Sequence, residues 1–421
     1  MDLSVAQIVI WVAYFISLYI VIFWLLTYID RGVWLKKIEI KRFPFVSIVV
    51  PVLNEEKNII WTLDSLVNMN YPRDKIEIIV VNDASTDNSR GEILDYISKH
   101  KEFSIIYLEN EKNMGKHYGV NRALSVAKGE FFVCLDADSA VHPEALSKML
   151  PHFDYDENLA VVLPLMKIIN PENMLQRIQW CEYLLNFFYK SLMSMVNCVH
   201  VAPGPFSVFR RDILTKLGGI RRSYNTEDFE VSLRIQRSHY KLLQVLDAEV
   251  YTKPPKTIKG FYRQRNRWYK GTMLTLMDYK DMIFNRKYGD FGVLQLPRVM
   301  LSGFLAVGMI TFTGYRYVIK PLWKDILNWS AINFDFSVWL RNFHFSFNWL
   351  NIDFTNTFFF LISLSIGLII ILYAYYYTRE RIFKFGFLTV PAYIVLYGIM
   401  ASIVWCGVFI DLIFRKSKLK W

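Results

Sequence analysis

The feature that most limits how this chain can fold is a run near its start that contains no charged side chain. It extends from Leu3 to Ile29. At a rise of about 1.5 Å per residue, a helix over this run is longer than the roughly 30 Å hydrocarbon layer of a bilayer. A signal peptide would begin with basic residues, whereas the only charge before the run is Asp2. The run therefore predicts a transmembrane helix over residues 1–30.

The composition indicates that a membrane part and a charged part are combined in one protein. Of the 421 residues, 53% are hydrophobic and 21% are charged. Such a chain is too apolar for an ordinary soluble enzyme and too charged for a bundle that lies wholly in the bilayer. The cysteines are far apart, lie in apolar surroundings and lack the spacing of metal ligands, so we expect free packing residues. They are Cys134, Cys181, Cys198 and Cys406.

Basic side chains lie beside the apolar runs. The first run is followed by Arg31, Lys36, Lys37, Lys41 and Arg42. The positive-inside rule therefore predicts a multi-pass protein of the plasma membrane whose next domain is cytoplasmic. Because membrane topology accounts for the net charge of +11, we expect no nucleic-acid partner.

Residues 43–256 alternate apolar runs with amphipathic helical patterns. The runs VSIVVPV, IEIIVVND, FSIIYLE and EFFVCLDAD indicate buried strands. The alternation predicts an α/β domain with a mixed, mainly parallel sheet. Ligands of open α/β sheets bind at the carboxyl ends of the strands. At those ends this chain carries Asn54, Glu55, Asp83, Asp136 and Asp138.

Two carboxylates, Asp136 and Asp138, lie two residues apart at one strand end. This spacing suits Mg²⁺ or Mn²⁺ held jointly by the protein and a nucleoside diphosphate. The alternative is a turn with helix-capping aspartates, because Asp-x-Asp also occurs by chance. We find no glycine-rich phosphate loop, so a diphosphate would have to be held by metal and side chains.

The triplet Thr226-Glu227-Asp228 opens the amphipathic segment DFEVSLRIQRSHY. An N-cap with acidic residues that favour the helix dipole is the simpler interpretation. In the functional interpretation Asp228 faces a pocket as a general base, and Thr226 and Glu227 place it.

The segment RQRNRW follows soon after these acidic residues. On a helix Gln264, Arg267 and Trp268 share one face, so an amide, a guanidinium that can bind phosphate oxygens and an indole would face one pocket. Arg263 and Arg265 are expected to face anionic lipid headgroups. A purely lipid-contacting helix is the alternative, but it gives no reason for Gln and Trp at these positions.

Asp83, Asp136-Ala137-Asp138, Thr226-Glu227-Asp228 and Gln264 to Trp268 occur in the order D, DxD, TED and QxxRW. In this the chain resembles membrane-bound family 2 glycosyltransferases such as the hyaluronan, chitin, cellulose and poly-N-acetylglucosamine synthases. The resemblance covers nearly the whole chain. It implies a catalytic domain of the GT-A type, a UDP-sugar donor and a divalent ion.

The resemblance also implies roles for single residues. Asp83 would bind the uridine part of the donor, Asp136 would contact UDP and Asp138 would coordinate the metal. Asp228 would deprotonate the acceptor hydroxyl, giving a single displacement with inversion.

Two further segments resemble the family. Lys116 matches an Asn-x-Gly-Lys stretch that lies near the diphosphate, although His117 and Tyr118 replace the small residues common there. Gly204 and Pro205 match the Gly-Pro of a segment that lines the acceptor site. A turn before a buried strand is the alternative for this Gly-Pro pair.

Helical periodicity continues beyond the acidic motifs. A helix within 172–196 fits the core, or the membrane surface with Arg177, Glu182 and Lys190 on its other faces. We expect an amphipathic interface region at 257–290 and a transmembrane region at 291–421. Apolar spans are predicted for 299–315, 357–377 and 385–414.

The carboxyl-terminal topology cannot be assigned from single spans. Three single spans would leave the terminal RKSKLK outside, against the positive-inside rule. Either the last span is then a bent hairpin or re-entrant segment, or the stretch FDFSVWLRNFHFSFNW enters the bilayer.

The sequence therefore predicts a processive synthase that extends a polysaccharide from a UDP-sugar and passes it across the membrane. A membrane lipid that receives a single sugar, as in the ceramide glucosyltransferases, is the main alternative acceptor. A catalytically silent subunit is disfavoured by the intact carboxylates. The sugar, the linkage and the oligomeric state are left open.

Overall fold

A computed structural model describes residues 5–31, 38–331, 333–334, 337 and 354–414. An eight-stranded sheet forms the centre of the catalytic part, in the order β3-β2-β1-β4-β7-β6-β8-β5. The strands are β1 (Val46–Val52), β2 (Ile76–Asn82), β3 (Ile105–Glu109), β4 (Phe131–Cys134), β5 (Ala140–Val141), β6 (Leu159–Ile168), β7 (Ser207–Arg210) and β8 (Lys241–Thr252).

The sheet is mixed and mainly parallel, as predicted. Strand β1 runs parallel to β2 and β4, β2 to β3, and β6 to β8. Strand β7 is antiparallel to both of its neighbours, and the short β5 is antiparallel to β8. The central strands are rich in Val and Ile because helices cover both faces of the sheet. The register pairs Val52 with Asn82, so β1 and β2 end side by side.

Helices of the catalytic part cover the two faces of this sheet. They are α2 (Ile59–Val67), α3 (Ser89–Lys99), α4 (Lys116–Val126), α5 (Ala145–Met149), α6 (Met174–Met195), α7 (Arg211–Lys216) and α8 (Glu227–Arg237). Helix α9 (Ile258–Asp278) follows the last strand and contacts α8. One apolar core lies under α2, α3 and α5. The other lies under α4 and α6, and it continues into the apolar helices of the chain.

The remaining helices belong to the apolar parts of the chain. They are α1 (Val5–Arg31), α10 (Leu296–Gly314), α11 (Lys320–Ala331), α12 (Phe354–Tyr377), α13 (Thr389–Ala392) and α14 (Gly398–Phe414). By length and composition three helical runs can cross a membrane, namely Phe291–Ala331, Thr357–Tyr377 and Thr389–Phe414. In α1 the stretch Tyr14–Asp30 is a shorter apolar helix. The chain is therefore a membrane protein with an α/β domain.

The helices of the apolar region differ from the predicted spans in two respects. The span predicted to end near Tyr315 belongs to a helical run of 41 residues that continues to Ala331. The helix continues because a charged residue such as Lys320 does not end a helix. Pro321 lacks an N–H donor, and the π-helical turn at Tyr315–Ile319 lies just before it, so the helix adjusts its hydrogen bonding there without ending. The last span is one continuous run from Thr389 to Phe414, so the hairpin hypothesis is wrong for this part of the chain. The segment RKSKLK and nearly all of the aromatic stretch lie outside the described residues.

Helix α6 lies between the sheet and the apolar helices. It contacts β6 and β8 on one side, and α1 and α12 on the other. Most of its side chains are buried, including Glu182. Helix α6 therefore lies within the protein core, and the surface that it contacts is made of protein.

Candidate active site

A single cavity of about 1120 Å³ lies where the strand ends meet the apolar helices. Most residues predicted for the site line it, namely Glu55, Asp83, Lys116, Asp136, Asp138, Gly204, Pro205, Glu227, Asp228, Gln264, Arg267 and Trp268. Acidic side chains from four separate segments therefore converge on the same space as the QxxRW helix, α9.

Asn54 is the predicted site residue that does not line the cavity. It is exposed, and its φ of 58° lies in the left-handed region that Asn tolerates. Its side-chain Oδ1 accepts hydrogen bonds from Thr86 N at 2.8 Å and from Thr86 Oγ1 at 3.2 Å. Asn54 thus fixes the loops after β1 and β2 to each other.

Asp83 organises the loop that carries Lys116. Its Oδ1 accepts from Asn110 Nδ2 at 2.7 Å and from Met114 N at 3.0 Å, and its Oδ2 accepts from Gly115 N at 2.8 Å. Gly115 has a φ of 86°, a conformation open to glycine, and it caps α4. The buried carboxylate therefore sets where the first residue of α4 points.

Lys116 pairs with Asp136 at this end of the cavity, which we name the donor end and define by Glu55, Lys116, Asp136 and Asp138. The Lys116 Nζ donates to Asp136 Oδ1. Burial alone would lower the pKa of Lys116, but Asp136 raises it well above its usual value. Sequence reasoning assigned Asp136 and Lys116 to the same ligand without anticipating that they contact each other.

Asp138 is the carboxylate with the most perturbed pKa at the donor end. Burial, followed by the charges of Asp136 and Glu55, raises its pKa to about 6. Three carboxylates near one another, with a single lysine among them, form an environment that favours a further cation. Within the described residues no three His, Cys, Asp or Glu side chains are grouped to hold a metal ion by themselves. A divalent ion at Asp138 would take its other ligands from water and from a bound substrate, which fits a diphosphate.

The backbone passes close to this ion pair at Gly204. A Cβ there would lie 2.8 Å from Lys116 Nζ and 3.2 Å from Asp136 Oδ2. A larger residue would displace the lysine or the carboxylate, so the Gly-Pro segment shapes the donor end.

Asp228 lies in the first turn of α8 and faces the same cavity. Burial, together with the neighbouring Glu227, raises its pKa to about 6, although the charges of Lys116 and Lys190 act against this rise. The one protein hydrogen bond to its carboxylate comes from the adjacent Phe229 N at 2.9 Å, within the part of the chain that the structure describes. A carboxylate with a raised pKa and free acceptor capacity is suited to taking a proton.

Helix α9 contributes Gln264, Arg267 and Trp268 to the cavity wall, so the three share one face as the spacing predicted. The Oε1 of Gln264 is buried and has no hydrogen-bond partner within the described chain. A buried unsatisfied amide oxygen in a cavity wall is a candidate acceptor for a substrate hydroxyl.

The expectation that Arg265 faces lipid headgroups was wrong. Its side chain is buried, and its Nη2 donates to Glu182 Oε2 on α6 at 2.6 Å. Its guanidinium carbon lies 4.2 Å from the ring centroid of Trp268. The charge of Arg265 is thus neutralised inside the protein, and its guanidinium supports the Trp268 ring.

Sequence reasoning missed part of the cavity wall. Lys190, His200 and Arg298 line the cavity on the side of the apolar helices, and Ile20 and Trp24 of α1 line it as well. The sequence predicts Lys190 on a face of α6 away from the apolar stripe, without a role in the site. No local motif marks these positions, because they come from segments far apart in the chain.

Comparison with known proteins agrees with this geometry. Residues 47–218 match the profile of "Glycosyl transferase family 2". The matched range includes the donor end and Gly204 but ends before Asp228 and α9. A poly-beta-1,6-N-acetyl-D-glucosamine synthase of Staphylococcus epidermidis is 27% identical over 338 residues, 80% of this chain and 77% of the relative. The probable glycosyltransferase YdaM of Bacillus subtilis is 29% identical over 252 residues, 59% of this chain and 60% of the relative.

Among solved structures, the mannosyltransferase PcManGT from Pyrobaculum calidifontis, in complex with GDP-Man and Mn²⁺, shares the fold. Its TM-score is 0.62 at 18% identity, covering 98% of this chain and 99% of that chain.

The fold and the matches define a membrane-bound glycosyltransferase with a GT-A-type α/β domain. Residues 47–218 therefore form a family 2 glycosyltransferase domain, and poly-N-acetylglucosamine synthases are among the relatives of the chain.

Proposed function

We propose that the protein transfers a sugar from a UDP-sugar to a growing polysaccharide, with inversion, and passes the polymer across the membrane. The observation that carries this proposal is that Asp138, Asp228 and Trp268 line one cavity whose wall includes the helix α10. The N-acetylglucosamine polymer named for the staphylococcal relative supports a polysaccharide product.

The donor end would bind the nucleotide sugar. In this proposal Asp83 contacts the uridine part, and Lys116 and Asp136 contact the diphosphate. Glu55 and Asp138 would then lie beside the leaving group. Lys116 and Arg267 would balance the negative charge that forms on the β-phosphate as its bond to the anomeric carbon breaks.

Mg²⁺ or Mn²⁺ fits at Asp138, with Asp136 nearby, if diphosphate oxygens complete its coordination. When bound, such an ion supplies charge neutralisation at the leaving phosphate. The Mn²⁺ in the complex of the Pyrobaculum mannosyltransferase supports this proposal.

Asp228 would take the proton of the attacking acceptor hydroxyl. The acceptor oxygen bonds to the anomeric carbon as the bond to the β-phosphate breaks, so one displacement inverts the anomeric configuration. Glu227 would raise the proton affinity of Asp228, and Gln264 and Trp268 would hold the acceptor sugar. Gly204 and Pro205 would shape the space between donor and acceptor.

The membrane part would place this chemistry at the inner face of the plasma membrane. We propose that α1 and the three long apolar runs span the bilayer, with residues 43–256 in the cytoplasm and 257–290 at the interface. Residues 291–421 would then form the transmembrane region beside which the product leaves.

Transfer of a single sugar to a membrane lipid is a second candidate. It is favoured by the apolar part of the cavity wall, where Ile20 and Trp24 of α1 and Val299 of α10 are placed. A lipid acceptor would use such a wall, whereas a polysaccharide alone would not need it.

Product analysis tests the proposal. The purified full-length protein in lipid vesicles is incubated with each UDP-sugar in turn, and UDP release and product size are measured. A polymer that a glycosidase digests supports the synthase, and a single glycolipid supports the second candidate. Absence of UDP release from every UDP-sugar, from a protein that remains folded, would refute the UDP-sugar donor.

A further inference from the structure

The cavity has a second charged end, which we name the cationic end and define by Lys190, His200 and Arg298. These residues come from α6, from the loop after it and from α10. All three are partly buried and line the same cavity as Asp228. Each can donate a hydrogen bond, and neither the lysine nor the arginine can accept one.

The three side chains line one part of the cavity wall, and their charges interact. Burial, followed by the charges of Arg298 and Lys190, holds the pKa of His200 well below its usual value, so the imidazole is neutral. Its ring meets that of Phe229 edge-on, with centroids 6.1 Å apart. Because Phe229 follows Asp228, the cationic end lies next to the proposed base.

A short hydrogen-bond chain fixes the proton on His200. Gln295 is fully buried, and its Oε1 accepts from Arg298 Nε at 3.1 Å. Its amide nitrogen lies 2.8 Å from His200 Nδ1. Since that nitrogen can only donate, Nδ1 accepts and the ring proton is on Nε2. Among the described residues this Nε2–H has no hydrogen-bond partner.

The two cations of this end lack a carboxylate partner within ion-pair distance in the described ranges. Lys190 Nζ lies 4.7 Å from the ring centroid of Phe187, and Arg298 uses its Nε for Gln295. Burial lowers the pKa of Lys190 to about 8, against the opposing charge of Asp228. Arg265, by contrast, has Glu182. Keeping cations partly buried without a partner is costly unless a ligand supplies the negative charge.

We propose that Lys190, His200 and Arg298 form a subsite for a phosphate group carried by the acceptor. This inference rests on the proposed function and names its acceptor class. Two cations and one neutral donor, placed on separate segments, match the several oxygens of a phosphate ester, and the planar guanidinium binds two of them. The hydroxyl that Asp228 deprotonates would then be a near neighbour of that phosphate.

The phosphate comes either from a lipid headgroup or from a soluble phosphate ester, because the chemistry of recognition is shared. The apolar wall of Ile20 and Trp24 lies in the same cavity and suits a lipid chain. In a polymer-forming enzyme, such a molecule is the acceptor on which the first sugar is placed.

The test uses full-length protein in phosphatidylcholine vesicles with the UDP-sugar that gives the fastest UDP release. One arm adds phosphatidylglycerol to the vesicles, and another adds soluble glycerol phosphate. Labelled sugar is measured in the lipid extract and in the aqueous phase. We expect at least about tenfold faster transfer in one arm, and the phase that holds the label identifies the source.

Variants distinguish a specific loss of phosphate binding from a general loss of folding or activity. Lys190→Met and Arg298→Met should each remove the stimulation by phosphate and raise its half-saturating concentration at least about tenfold, while UDP affinity stays unchanged. Lys190→Arg should retain most of the stimulation. Lys287→Met, which removes an exposed cation outside the cavity, should behave like the unmodified protein.

Binding is also measured without turnover, by titrating glycerol phosphate and then UDP into the protein. Phosphate binding that Lys190→Met abolishes supports the subsite, even if no UDP-sugar is turned over. Equal phosphate responses of the unmodified protein and both methionine variants, or no response in either arm, would overturn it. If the unmodified protein does not bind UDP, that result counts against the proposed function and not against the phosphate subsite.

Discussion

The two ends of the cavity carry opposite charge. At the donor end Asp136, Asp138 and Glu55 surround one lysine, and the pKa of Asp138 is raised. At the cationic end Lys190 and Arg298 lie beside a neutral histidine without an ion-pair partner in the described chain. Each end therefore lacks the charge that a ligand would bring, a cation at one and an anion at the other. Asp228 lies between them and is influenced by lysines from both.

Arg265 shows what a cation in this region looks like when the protein neutralises it. Both members of the Glu182–Arg265 pair have side chains that are 3% exposed. The contrast with Arg298 indicates that the fold can supply a carboxylate here, so the lack of one at the cationic end is a property of the site.

The largest effect is expected at Asp228. Asp228→Asn keeps the shape of the side chain but cannot take a proton, so turnover should fall about a hundredfold to ten-thousandfold. UDP affinity should be unchanged, because the donor end is intact. Steady-state UDP release and UDP titration measure the two. Retained turnover would remove Asp228 from the role of base.

The buried ion pair tests the contrast between Arg265 and Arg298. Glu182→Ala leaves Arg265 buried without a partner and should lower the free energy of unfolding by about 3–5 kcal/mol. Thermal unfolding in detergent measures the change.

The matched control for this pair is Glu172→Ala. This variant breaks an exposed ion pair in which the side chains of Glu172 and Lys256 are 62% and 59% exposed. It should lower the free energy of unfolding by about 0–1 kcal/mol. Equal costs for the two variants would show that Arg265 does not depend on its partner.

The donor end is tested by Asp138→Ala. UDP affinity in the presence of Mn²⁺ should fall about ten- to a hundredfold, in the range typical of disturbed metal sites. Without the ion, the variant and the unmodified protein should bind UDP alike. Asp95→Ala, which removes an exposed carboxylate on α3, serves as the control. A loss of affinity that is independent of the ion would assign Asp138 to direct contact with UDP.

The smallest effect concerns the pH dependence. The base must be unprotonated, so with a pKa of about 6 the value of kcat/KM should rise with pH through about 6 and then level. Glu227 raises this pKa, whereas Lys116 and Lys190 lower it. Lys190→Met removes one lowering charge and should move the acid limb to higher pH by about half a unit to one unit. An unmoved limb, as expected for Lys287→Met, would place Lys190 too far from the base to matter.

The sheet and the donor end were predictable from local patterns. Strands β1, β2 and β4 are short apolar runs that stop at polar residues, and parallel strands end at one edge, so Asp83, Asp136 and Asp138 had to lie near one another. The face of α9 followed from helical spacing in the same way.

The cationic end and the buried pair could not be found in this way. His200 and Gln295 are 95 positions apart, and Arg265 and Glu182 are 83 apart. Whether a charged residue of an amphipathic helix meets lipid, water or a carboxylate depends on what packs against it. For α6 the neighbouring elements lie on both sides and come from distant parts of the chain.

One contact makes the sheet and the membrane helices mechanically continuous. Lys167 on β6 is buried and lies 2.8 Å from Glu249 on β8 and 3.0 Å from Glu380, three residues beyond the end of α12. When the hydrocarbon layer of a bilayer is thinner than the apolar length of a membrane helix, the helix tilts. Because this bridge and α6 join α12 to the sheet, a tilt of α12 should move β6 and β8, whose neighbours line the cavity. Acyl-chain length should therefore act on this enzyme as a control of catalytic rate.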